Sequence, residues 1–129
     1  MRRPEQSFQI ALIQWLDVVL PKDAFAFAIP NAAKRGVVEG AMMKRMGTRA
    51  GMPDVSVLYR GRAYFLELKA AKGRVSSNQA GTIDRLAQTG CPAEVVRTIE
   101  EAQAALLEWG VPLRTGPQTR PHAPITHAT

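Results

Sequence analysis

The chain has 129 residues, 46% of them apolar, with 17 Lys/Arg against 11 Asp/Glu for a net charge of +6, the length and composition of one globular domain with a single core. One cysteine, Cys91, and two histidines, His122 and His127, both in the last eight residues, exclude an internal disulfide, a cysteine-built zinc site and a Ser-His-Asp or Cys-His group in the folded body. No apolar run is long enough to span a membrane, and Gln14 and Asp17 interrupt the first amphipathic stretch, so a cytoplasmic protein without a secretory signal is expected.

Pro4 suits the first turn of a helix, and Phe8, Leu12, Trp15, Leu16 and Val19 recur at helical spacing as far as Leu20-Pro21. Residues 24–29 alternate with period two, which predicts a strand, and a loop holding Asn31, Lys34 and Arg35 follows. Residues 37–46 read as a short helix whose Val38, Met42 and Met46 fill the core, stopped by Gly47. Residues 54–59 and 63–69 are strand-like and are joined through Arg60-Gly61-Arg62, a hairpin signature. Ser76 to Gln79 is a capping box that opens a helix to about Gln88. Residues 93–98 give a short strand, and Thr98 to Glu101 opens a last helix that ends at Trp109 before Gly110. The expected fold is α/β (α+β): a mixed sheet flanked by helices, one domain over residues 1–110, then a flexible Pro-rich tail over 111–129.

The charge is unevenly placed. Residues 31–74 hold ten Lys/Arg and three Asp/Glu, so the whole basic excess lies in the central third of the chain. Such a region is either a solvated face or the footprint of a polyanion.

The hairpin brings the reactive residue types together. If Arg60-Gly61 is a two-residue turn, Tyr59 pairs with Arg62 and Asp54 stands opposite Glu67; Lys69, two residues on, shares their face. A three-residue loop would break this register. Opposed carboxylates repel, and the repulsion must be offset by a shared proton, by Lys69 or by a bound cation. Mg²⁺ takes one or two carboxylates together with waters and phosphate oxygens. In a basic surround, that is the equipment of phosphodiester hydrolysis, with a lysine to orient or deprotonate water or to stabilise transition-state charge. Taken singly, the same residues also fit a surface Asp and an exposed Glu-Lys pair.

Met52-Pro53-Asp54, twelve residues, then Glu67-Leu68-Lys69 resembles the PD-(D/E)xK nuclease superfamily. The wider context is similar to its VRR-NUC branch, the virus-type replication-repair nucleases. It rests on Glu5, Asn31 with Lys34-Arg35, the Gly47–Asp54 run, Lys72-Gly73-Arg74 and Ser76-x-x-Gln79, and spans about residues 5–109. The resemblance implies a restriction-endonuclease-like fold in which Asp54, Glu67 and the backbone carbonyl of Leu68 ligate Mg²⁺ or Mn²⁺. It makes Lys69 the catalytic lysine, brings Glu5 in as an additional acid and metal ligand, and counts Gln79, near the site, among the catalytic residues. Each of the last two has a structural explanation as well: Glu5 is an acid in a helix's first turn, and Gln79 is the reciprocal member of a capping box. Lys34, Arg35, Arg49, Lys72 and Arg74 are the expected DNA contacts.

The function expected is that of a Mg²⁺-dependent DNA endonuclease. By analogy with the branch, it is selective for branched or junction DNA and serves phage or bacterial replication, repair or recombination. A homodimer would match two-fold junctions. The alternatives are a non-catalytic nucleic-acid-binding module whose acids are structural, and an RNA-directed or toxin-like nuclease. A scarcity of exposed aromatics on the strands is expected to count against the last.

Overall fold

Eight elements follow one another in the expected order: α1 (Pro4–Val19), β1 (Ala24–Ala28), α2 (Val37–Arg45), β2 (Val55–Tyr59), β3 (Arg62–Leu68), α3 (Ser77–Gln88), β4 (Ala93–Val96) and α4 (Ile99–Glu108). They are seen in a computed structural model that describes residues 4–30 and 36–114. The strands form one sheet in the order β1-β2-β3-β4, antiparallel at the first two junctions and parallel between β3 and β4.

The β2–β3 connection is a two-residue turn. Arg60 (φ 49°) and Gly61 (φ 82°) are both left-handed, as a type I′ hairpin requires for its twist to match the strands. Tyr59 therefore pairs with Arg62 and Val55 with Leu66, which is the register that sets Asp54 opposite Glu67.

Side chains alternate across a strand, and the two faces of this sheet have different fates. Val55, Val57, Tyr64, Leu66, Leu68 and Val96 pack with Leu12, Leu16 and Val19 of α1 and with Ala102, Ala105 and Leu106 of α4 to make the core. The intervening residues Ser56, Phe65 and Glu67 are also buried, but they belong to the opposite face, which carries the site.

Three expectations are corrected. The α2 face does not fill the core: no residue of this helix is buried, and Val38, Met42 and Met46 are 84%, 49% and 76% exposed. An apolar stripe on a short helix reports only that the residues share a side, not what that side meets. The packed body continues past Gly110. After α4, Gly110 and Val111 donate their N–H groups to Leu107 and Leu106, the two hydrogen bonds of a Schellman motif, and the chain then buries Val111 and Leu113 in the core. Finally, β1 exposes two aromatics, Phe25 at 63% and Phe27 at 38%, with ring centroids 5.7 Å apart, so the strands are not poor in accessible rings. The tail expected beyond residue 114 lies outside the described residues. Among the described residues, no helix is long and apolar enough to cross a membrane.

Candidate active site

The site forms where β2 begins and β3 ends. Asp54 lies one residue before β2, yet its backbone extends the sheet on both sides: its N–H donates to the Leu66 carbonyl at 3.2 Å, and its carbonyl accepts from Ile29 N–H at 2.8 Å. The preceding loop is pinned by Gly51. This residue has φ 76°, and a Cβ there would meet the Asn78 carbonyl oxygen at 2.5 Å, so only glycine lets the loop run this close to the start of α3.

With the backbone fixed, Asp54 Oδ2 accepts from Leu68 N–H at 2.8 Å. Glu67 is 2% exposed, and both its known partners reach the same atom: Gln79 Nε2 donates to Oε2 at 2.7 Å, and Lys69 Nζ stands 3.6 Å from it. The other carboxylate oxygen, Oε1, is buried and accepts from no donor among the described residues. Burial first, and then the neighbouring Asp54 carboxylate, push Glu67 up to about 7. Asp54 is raised too: burial drives it upward against the Leu68 N–H, and the Glu5 charge adds to the rise. Two acids are thus held together, Glu67 buried and Asp54 half-buried, with less positive charge than two carboxylates need.

Gln79 performs both of the roles the sequence left open. Its Oε1 accepts from Ser76 N–H at 3.0 Å while Ser76 Oγ accepts from Gln79 N–H at 3.1 Å, a complete capping box. The amide nitrogen is left free to orient Glu67. Glu5 lies alongside rather than inside the pair. Its Oε2 faces Ala70 N–H at the long distance of 3.5 Å, on the loop that follows β3. Among the described residues, no three of His, Cys, Asp and Glu gather closely enough to hold a metal ion.

The donor set nevertheless fits a hard divalent cation: carboxylate oxygens on neighbouring strand ends, one of them buried and without a partner, are the ligands Mg²⁺ and Mn²⁺ take, with remaining positions left to carbonyls, water and phosphate. Asp54 and Gln79 open into a cavity of about 350 Å³ whose lining also includes Lys44, Thr48, Arg49 and Asn78. Arg49 thus lines the same cavity as Asp54. Lys72 and Arg74 are exposed on the loop after β3 and do not line the cavity. Lys34 and Arg35 lie outside the described residues.

Two residues escaped the sequence reading. Lys44, in the last turn of α2, looked like an ordinary helix-end base. Arg97, just after β4, donates from Nη1 to the carbonyls of Ala70 and Gly73 at 2.8 and 2.7 Å; with Glu5 on the other side, it shapes the loop leading away from Lys69. The partners of Arg97 are backbone atoms, and no side-chain pattern could reveal them. The second capping box is also modified: Glu101 N–H donates to Thr98 Oγ1 at 3.0 Å, but its carboxylate accepts from Arg97 N–H at 2.7 Å.

The family model of the VRR-NUC domain matches residues 3–99. A solved structure titled "VRR_NUC domain protein" superposes with a TM-score of 0.67 at 24% identity, covering 84% of this chain and 89% of its own. A second, titled "VRR_NUC domain", gives a TM-score of 0.53 at 18% identity, covering 81% of this chain and 94% of its own. Comparison with curated proteins gives no match.

Proposed function

The chain belongs to the VRR-NUC domain family of nucleases, and on that premise we propose that it is a metal-dependent DNA endonuclease acting on branched or junction DNA in phage or bacterial replication, repair or recombination. The observation that carries this reading is Glu67: a buried acid pressed against a second acid, with one oxygen that no donor among the described residues reaches. A fold does not leave a carboxylate in that state for stability's sake.

Asp54, Glu67 and the Leu68 carbonyl would hold the cation, Mg²⁺ or Mn²⁺. When bound, it supplies Lewis-acid polarisation of the scissile phosphate and a lowered pKa for a water molecule. The protein does the rest. Leu68 N–H and Gln79 fix the two carboxylates in position. Lys69, beside Glu67, orients or deprotonates the attacking water and stabilises the charge that accumulates on the phosphoryl oxygens. Arg49 and Lys44 bind flanking phosphates at the mouth of the cavity. In the reaction, the water oxygen bonds to phosphorus, the bond from phosphorus to one sugar oxygen breaks, and the leaving oxygen takes up a proton. Glu5 acts from outside the pair, through its charge on Asp54 and its place against the loop at Ala70.

A second copy of the chain is the proposed partner for α2, whose exposed Val37, Val38 and Met46 are costly to leave in water; light scattering should give twice the monomer mass, and Val38→Glu should reduce it to one. Cytoplasmic placement is part of the same proposal. One observation favours a second reading, a single-stranded or RNA substrate: Phe25 and Phe27 are exposed on the sheet face that carries the acids and could stack on bases. A panel of duplex, flap, four-way junction, single-stranded DNA and RNA, each with Mg²⁺, Mn²⁺, Ca²⁺ or EDTA, tests these readings together. Cleavage of branched DNA above the rest, with Mg²⁺ or Mn²⁺ and not with EDTA, is expected. Ca²⁺ should support binding with poor turnover, because its geometry is looser and it is a weaker Lewis acid. Preference for RNA would establish the second reading, and binding without cleavage in any ion would leave a non-catalytic module.

A further inference from the structure

Beyond Arg49 the catalytic cavity continues into a second hollow of about 360 Å³, between the end of α2 and the second half of α3. The two share Lys44, Thr48, Arg49, Ala50 and Met52 as lining. The hollow adds Arg85 and Leu86 of α3 and the threonines Thr82 and Thr89. Resting on the nuclease reading above, we propose that this hollow takes one unpaired nucleotide of the DNA strand being cut, extruded next to the scissile phosphate.

The chemistry of the lining is specific to such a ligand. Lys44, Arg49 and Arg85 supply three cations, and no acid lines the hollow, which suits a phosphate. Met52 and Leu86 are half-buried and offer apolar surface to the face of a base. The hydroxyls are already oriented. Thr82 Oγ1 donates to the Ala50 carbonyl at 2.8 Å, and Thr89 Oγ1 donates to the Leu86 carbonyl at 2.6 Å. With their hydrogens spent inward, these oxygens can only accept. They repel a phosphate oxygen and welcome the N–H edge of a base. Cations, an apolar wall and fixed acceptors in one hollow match a whole nucleotide. A paired strand exposes base edges only in its grooves and keeps its base faces stacked and its Watson–Crick edges paired, so a hollow that takes a base face and its N–H edge needs an unpaired nucleotide. The continuity with the cavity of Asp54 puts this nucleotide beside the reacting phosphate.

The test compares binding of two fluorescein-labelled duplexes at one salt concentration in Ca²⁺: one fully paired, one with a single unpaired nucleotide. Wild type should prefer the second by about tenfold, the range of one base stacked and held. Arg85→Ala, on an exposed helix position that lines only this hollow, should lose most of that preference while the paired duplex binds nearly as before. An abasic residue at the unpaired position should remove the wild-type preference. Equal weakening of both duplexes would overturn the inference and leave the hollow a plain phosphate-contacting surface. Because binding is read without cleavage, an inactive protein whose preference vanishes in the Arg85→Ala variant would uphold the subsite and refute the nuclease; an active one with unchanged preference would do the reverse.

Discussion

Glu67 is the residue at which stability and function oppose each other. Its carboxyl is held near 7 in the folded protein, against an ordinary 4.5. The folded state therefore binds more protons than the unfolded chain between those values. Stability from this group is full at low pH and is lost as pH rises through 7. Metal-free protein should thus melt at a lower temperature at pH 8 than at pH 5.5, the stability lost from this group over that range being on the order of 2 kcal/mol. Glu67→Gln keeps the shape and an acceptor for Gln79, removes the charge, and should flatten that part of the profile. Its melting temperature should exceed that of wild type at pH 8 while cleavage is lost. A pH profile identical in the two proteins would show that Glu67 is not the titrating group. At this scale the sequence was informative because strand pairing is discrete. Once Arg60-Gly61 forms a two-residue turn, Asp54, Glu67 and Lys69 must share a face. Arg97 was invisible for the opposite reason, since it binds backbone oxygens of a loop whose path depends on tertiary packing.

Among the elements, the loop from Ala70 to Arg74 depends most on its neighbours. Arg97 supplies hydrogen bonds to two of its carbonyls, and Glu5 faces it from α1. Arg97→Ala should destabilise the protein by about 1–3 kcal/mol by orphaning those carbonyls. It should also lower kcat, because Lys69 immediately precedes the loop. Arg97→Lys, which can satisfy one carbonyl, should restore stability more fully than kcat. Parallel recovery of both in a chemical denaturation and single-turnover series would reduce Arg97 to a structural residue. The element boundaries themselves were legible because caps and turns are local chemistry: the Ser76–Gln79 box and the glycines after α2 and α4 act within a few residues. What α2 packs against was not legible. Its Val38, Met42 and Met46 stripe is the same in the sequence whether it meets the core, a second copy or water.

Over the whole molecule, the basic stretch of residues 31–74 is divided: Lys44 and Arg49 line the cavity of Asp54, while Arg60 and Arg62 lie at the hairpin end of the strands, away from the acid pair. Lys72 and Arg74 are exposed on the loop held by Arg97, and Arg49 lines the catalytic cavity. Replacing Lys72 and Arg74 together should weaken binding of all DNA sequences alike and flatten the plot of log affinity against log salt by up to about 2, near 0.9 for each lost phosphate contact. An unchanged slope would make those two residues a solvated face. The central claim is that Asp54 and Glu67 form a divalent-cation site for cutting DNA. Its most direct test is a single-turnover cleavage assay of wild type, Asp54→Asn and Glu67→Gln on one junction substrate in Mg²⁺ and in EDTA. Binding of each protein is measured in parallel. Cleavage by wild type in Mg²⁺ alone, with both variants folded, DNA-bound and inactive, is the predicted result; cleavage that persists in EDTA, or in either variant at the wild-type rate, would contradict it.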